Sequence, residues 1–115
     1  MTDIEQLQRR LQAFADRRDW NQFHSPKNLT MALIVEAAEL AEHFQWLTQE
    51  ESFGLSADKL EAVGEELADI FVYLVRLADQ LGVDLPAAVE RKIELNEKKY
   101  PADVVRGSAK KYTEY

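Results

Sequence analysis

Apolar residues recur along this chain with the period of α-helices almost throughout. Ile4, Leu7, Leu11 and Phe14 fall at three- and four-residue intervals, the spacing of one helical face. Thr2, with Glu5 three residues on, reads as a capping box opening that first helix. The segment RRDWNQFHSP breaks the period. Ser25 followed by Pro26 then predicts an N-cap and a first-turn proline for a second helix over 26–47. A polar loop over 48–59 contains the next cap, Ser56. The third helix, 57–81, takes its core face from Leu60, Val63, Leu67, Ile70, Phe71, Leu74, Leu77, Ala78 and Leu81, and stops at Gly82. Asp84 caps a fourth helix with Pro86 in its first turn, which finishes near Tyr100 because Pro101 follows. The pattern therefore predicts one all-α domain over residues 1–115, with a short polar tail over 102–115.

The second helix raises a question. LIVEAAELAEHFQWL, residues 33–47, is apolar almost all round, the mark of a buried helix. Yet Glu36 and Glu39 share a narrow arc, flanked by Leu33 and Leu40 on one side and by Val35 and Trp46 on the other. Buried carboxylates are costly unless a positive or hydrogen-bonding group meets them. The third helix adds a matching pair. On a helical wheel Glu66 lies against the Ile70–Leu77 edge of its core face, with Asp69 and Tyr73 just beyond. Glu65 points outward, near Arg76, and reads as a solvated charge.

Each helix thus offers two acids at i, i+3, which places both on one face. If the helices face each other, four carboxylates converge, and left bare they repel and take up protons. Such a set of hard oxygen ligands suits Mg²⁺ or Mn²⁺. Mg²⁺ keeps waters and binds substrate phosphates as well, which accounts for an incomplete protein cage. Single acid pairs of this spacing are common on solvated faces; two pairs, one inside an apolar helix, favour a metal site. A di-iron bundle would use Glu-x-x-His. The residue three before His43 is Leu40, and no such motif occurs. His43 shares the arc of Glu39 and reads as a partner to that carboxylate.

Further candidates lie on the remaining segments. Lys92, Asn96 and Lys99 share one side of the fourth helix, a solvated basic edge or a set of contacts to phosphate and sugar. Trp20, Phe23, His24 and Trp46 are core aromatics taken singly, and a stacking slot for a base taken together.

Composition narrows the class. The 115 residues suffice for one domain with a core. There is no cysteine, hence no disulfide framework and no thiolate zinc site, as suits a reducing cytoplasm. The opening MTDIEQLQ is polar and unlike a secretory leader, and no apolar run reaches the ~20 residues that cross a bilayer. Cytoplasmic location with no membrane partner is the expectation. The net charge of −7 opposes binding to nucleic-acid polymers. A helix apolar on all sides exceeds what a lone small bundle covers, so the protomer is expected to associate with copies of itself.

The residues also carry a resemblance. EAAE at 36–39 and ELAD at 66–69, with RDWNQFHSPKNL, ELAEHFQW, DIFVYLVRLA, VDLPAAV, KKYP and SAKKYTEY, resemble the all-α nucleotide pyrophosphohydrolases of the MazG type. Within them they resemble the dCTP pyrophosphatase group. The likeness covers nearly the whole chain. It implies a four-helix-bundle-like protomer, assembling through its helices into a homodimer or a dimer of dimers. It implies Mg²⁺-dependent hydrolysis of a nucleoside triphosphate, dCTP-like, to the monophosphate and pyrophosphate. By matching position, Glu36, Glu39, Glu66 and Asp69 would hold metal, with Glu36 or Glu39 activating water. Trp20, His24, Trp46 and Tyr73 would line the base and sugar pocket. Lys92 and Asn96 would contact the nucleotide, and the tail with Lys111 and Tyr112 would close over phosphates. A nucleotide sensor or scaffold of the same fold, without turnover, is the alternative.

Overall fold

A computed structural model describes residues 3–114. All regular elements among them are helical. The chain divides between Gly82 and Val83 into two compact units.

The first unit holds α1 (Ile4–Arg17), α2 (Pro26–Glu42), the one-turn α3 (Gln49–Ser52) and α4 (Ala57–Leu81), with a 3₁₀ turn at Asn21–Phe23. The predicted caps at Ser25 and Ser56 are present, accepting from the backbone N–H of Asn28 and Lys59. At the N-terminus, Thr2 lies outside the described residues. The capping box seen is Asp3 with Gln6, so α1 starts one residue later than the Thr2–Glu5 pair suggests. The second helix ends at Glu42 rather than 47, and His43 to Leu47 continue as turns. The polar stretch predicted as loop contains α3, because Thr48 and Glu51 form a capping box of their own. Gly82 ends α4 at φ 68°, a left-handed position where a Cβ is penalised.

Packing in this unit runs mainly between α2 and α4, with α1 also against α4. Ala15, Leu29, Val63, Val75 and Ala78 form the buried core. This corrects the expected core face of α4. Leu60, Leu67, Phe71, Leu74 and Leu81 are exposed, and Val75 and Arg76 are buried instead. The apolar arc of this helix is wide, and α1 and α2 cover only one edge of it. The second helix likewise leaves Met31, Ile34 and Val35 exposed and fully buries only Leu29.

The second unit contains α5 (Leu85–Lys99), the short α6 (Ala102–Val105) and a 3₁₀ turn at Tyr112–Glu114. Asp84 caps α5 and accepts from Ala87 N–H, with Pro86 in the first turn as predicted. Tyr112 packs edge-on against Tyr100 with centroids 6.2 Å apart, and the Lys99 ammonium sits 4.8 Å above its ring. No helix among the described residues is long and apolar enough to cross a membrane.

Candidate metal centre and adjoining pocket

The contact between α2 and α4 brings the acids together. One carboxylate oxygen from each of Glu36, Glu39 and Glu66 lies within 4.8 Å of the others. Glu36 Oε2 and Glu66 Oε2 are shut off from solvent and have no hydrogen-bond partner among the described residues. Burial pushes the Glu36 carboxyl up to about 7. The nearness of Glu39 and Glu66, and the charges of Glu39 and Asp69, push the same way. His43 Nε2 stands 3.8 Å from Glu66 Oε1. The expected partner of His43 was Glu39. The turn after Glu42 swings the imidazole toward α4 instead.

The donor set fits a hard divalent cation. All three groups are carboxylates, and two buried oxygens lack any donor, as expected where a cation supplies the missing charge. Asp69, the fourth predicted acid, does not share the three-way grouping. It sits one turn along α4 from Glu66 and lines the neighbouring pocket. Glu65, one residue before Glu66, is exposed as predicted.

That pocket, of about 340 Å³, is bounded by Trp20, His24, Asp69, Tyr73 and Arg76, with Leu11, Phe14 and Val72 as its apolar wall. Local sequence explains how Trp20 reaches it. The last turn of α1 closes with Trp20 N–H donating to Ala15 O and Asp19 N–H to Asp16 O, the bond pair of a Schellman motif. Asp19 occupies the left-handed position at φ 54°, which Asp tolerates better than most residues. The motif turns Trp20 back onto Phe14, edge-on at 5.7 Å. His24 packs edge-on to Trp20 at 6.1 Å. Burial, and then the charges of Glu36, Asp69 and Glu39, hold the Tyr73 phenol above its ordinary range. Tyr73 thus lies on the side of the pocket that feels the acids. A larger cleft of about 570 Å³ runs along α1 beside Arg9, Arg10 and Arg17. It contains no carboxylate, and the smaller pocket has the better claim to chemistry.

Trp46 does not line this pocket. It is 87% exposed, because α2 ends before reaching it. Lys92 and Asn96 lie on α5 of the second unit, four residues apart and both exposed. Lys111 N–H donates to Glu114 Oε2 in the closing 3₁₀ turn that holds Tyr112.

The residue that sequence reasoning misplaced is Arg76. It was expected on the outer side near Glu65; it is 3% exposed. Its guanidinium donates to Gln12 Oε1, to Asn21 Oδ1 at 2.6 Å and to His24 Nδ1 at 3.2 Å, with Asp79 Oδ2 at 3.8 Å. A lone arginine inside DIFVYLVRLADQL, two turns from Asp69, was the available signal.

Comparison with known proteins gives the family. The MazG-like family model matches residues 31–115. The dCTP pyrophosphatase 1 of Homo sapiens is 48% identical over 113 residues, which is 96% of this chain and 66% of that protein. The Bos taurus protein of the same name is also 48% identical, with 67% of its length covered. The chain therefore spans about two thirds of the length of the curated relatives it matches. A crystal structure of a pyrophosphatase from Archaeoglobus fulgidus DSM 4304 superposes with a TM-score of 0.82 at 40% identity, over 88% of this chain and 94% of that one. With its paired acids on two packed helices and a family match over most of its length, the chain belongs to the MazG-like family.

Proposed function

We propose that this protein is a Mg²⁺-dependent nucleoside triphosphate pyrophosphohydrolase that prefers a dCTP-like deoxynucleotide and releases the monophosphate and pyrophosphate. The observation that carries the reading is the convergence of Glu36, Glu39 and Glu66, with two buried unpartnered oxygens, beside an aromatic pocket that ends in Asp69. The names of the human and bovine relatives support the substrate class.

In this reading Glu36, Glu39, Glu66 and Asp69 hold the cation, with Mn²⁺ an acceptable substitute. When bound, the cation supplies charge neutralisation for phosphate oxygens and acidifies water. Glu36 or Glu39 orients the attacking water and accepts its proton. Trp20 and Tyr73 offer ring faces to the base and sugar. By their match to the family pattern, Lys92, Asn96, Lys111 and Tyr112 are proposed as further nucleotide contacts. The expected location is the cytoplasm, where nucleotide pools are maintained.

The test is a panel of canonical and modified nucleoside triphosphates with Mg²⁺, assayed for pyrophosphate. dCTP should be turned over with the highest kcat/KM. Comparable rates with dCTP, dATP and dGTP would remove the base preference while keeping the reaction. Saturable binding without pyrophosphate release would replace the enzyme by a nucleotide sensor.

We also propose that the working form is a dimer or a dimer of dimers. Leu60, Leu67, Leu74 and Leu81 recur every seven residues along α4, and all are exposed. Each is already about half covered, so burying the rest stabilises by on the order of 1 kcal/mol per leucine, and a face of four favours association with a second copy. Sedimentation at micromolar concentration should give a dimer or larger, and Leu67→Glu should shift it toward monomer. A folded parent monomer would refute the assembly.

A further inference from the structure

The buried network around Arg76 has a consequence for His24. Asp16 Oδ1 accepts from Gln12 Nε2 at 2.8 Å and from Asn21 Nδ2 at 2.6 Å. With their amide nitrogens so engaged, both residues turn their carbonyl oxygens to the Arg76 guanidinium. These bonds fix the guanidinium plane and aim its Nε–H at His24 Nδ1. Arginine stays protonated at any working pH and has no acceptor. His24 Nδ1 must therefore be the bare nitrogen, which leaves Nε2 to carry the ring's proton. Nε2 has no hydrogen-bond partner among the described residues, and the ring lines the pocket.

We infer that Arg76 is a positioning residue that locks His24 in its Nε2–H tautomer, so that the pocket offers its nucleotide a neutral hydrogen-bond donor at this point. This rests on the proposed nucleotide reading for its ligand, and it narrows that ligand. The base or sugar edge that meets His24 must carry an acceptor, such as the ring nitrogen or carbonyl oxygen of a cytosine. A donor there would face a donor, and an unpaired buried pair discriminates more sharply than lost apolar contact does. Protonation of the ring is opposed for the same reason. Burial, and then the Arg76 charge, hold the His24 pKa below its usual value. The acids nearby are Asp16 and Asp79, turned to the Arg76 network, and Asp69 across the pocket.

Two measurements on the full chain test this separately from turnover. Long-range ¹H–¹⁵N correlation of the two histidines, assigned with His24→Gln, should give His24 an unprotonated Nδ1 and a proton-bearing Nε2 near neutral pH. Arg76→Gln should mix the tautomers, and Arg76→Lys should restore the parent pattern in part. A parent His24 that carries its proton on Nδ1, or that is charged at neutral pH, would overturn the inference. So would a tautomer unchanged in folded Arg76→Gln. Should that variant not fold, the parent spectrum still decides.

The second measurement uses the side-chain geometry of amides. Gln at position 24 places an N–H₂ near the Nε2 position; Asn places one near Nδ1. With dCTP as probe, His24→Asn should raise KM about five- to tenfold, the worth of one neutral hydrogen bond, with kcat little changed. His24→Gln, which keeps a donor near the Nε2 position, should raise KM less than His24→Asn does. Equal losses in the two variants would remove the donor role. A parent that releases no pyrophosphate from any nucleotide would overturn the proposed function and leave the spectrum to judge the tautomer.

Discussion

Replacing Glu66 by Gln should lower kcat by roughly a hundred- to a thousandfold, the usual loss when one charge-stabilising group is taken from a reacting centre, whereas Glu65→Gln should stay close to the parent. The two residues are adjacent in sequence and opposite in environment. Glu66 presents a buried oxygen with no partner, and one of its carboxylate oxygens lies within 4.8 Å of those of Glu36 and Glu39. Glu65 is exposed to solvent and belongs to no such group. Gln keeps the shape of Glu66 and removes only the charge, so a collapse in turnover without loss of fold would place the effect at the reaction. Circular dichroism and thermal melting of both variants supply that control. Equal losses in the two variants would mean that the orientation of α4 is different in the working protein.

That orientation is also where sequence and structure part. Four helix ends are legible in sequence because their chemistry is local: Ser25 with Pro26, Ser56, Gly82 and Asp84 act within four residues of themselves. The acids were readable because i, i+3 spacing fixes a shared face whatever lies opposite. The core face of α4 was not. Its apolar arc includes Leu60, Leu67 and Leu74 as well as Val63, Val75 and Ala78, and hydrophobicity cannot say which edge α1 and α2 cover. Arg76 was hidden for a related reason. Its burial depends on Gln12, Asn21 and His24 arriving from 52 to 64 residues away, and no periodicity encodes such partners. The turn at Asp19 was missed because it uses a left-handed residue other than glycine, which composition does not flag.

Without cation, Glu36→Gln should be more stable than the parent at pH 8, and it should gain less from Mg²⁺. The reason lies in proton linkage. The folded Glu36 carboxyl is pushed up to about 7 from an ordinary value of 4.5. Folding therefore raises its proton affinity. Below the unfolded value both states are protonated, and the group contributes its full share to stability. Between about 4.5 and about 7 the folded form holds a proton that the unfolded chain has released, so parent stability falls as pH rises. Above about 7 the loss is complete, and the folded site carries a charge that Glu39 and Asp69 repel. Gln at this position stays neutral at every pH, so the variant lacks the slope and its advantage is largest above about pH 7. Cation reverses the order. An ion that binds only the folded state stabilises by about 2.7 kcal/mol at a hundred times its Kd, and Gln weakens that binding by removing a charged ligand. In the parent the Mg²⁺ gain should grow from pH 5 to pH 7.5, since proton and cation compete for the same oxygens. Thermal unfolding of both proteins in EDTA and in Mg²⁺, across that pH range, reads every term. A Glu36→Gln protein that melts below the parent in EDTA at pH 8, and still responds fully to Mg²⁺, would make Glu36 a structural residue and move the cation elsewhere.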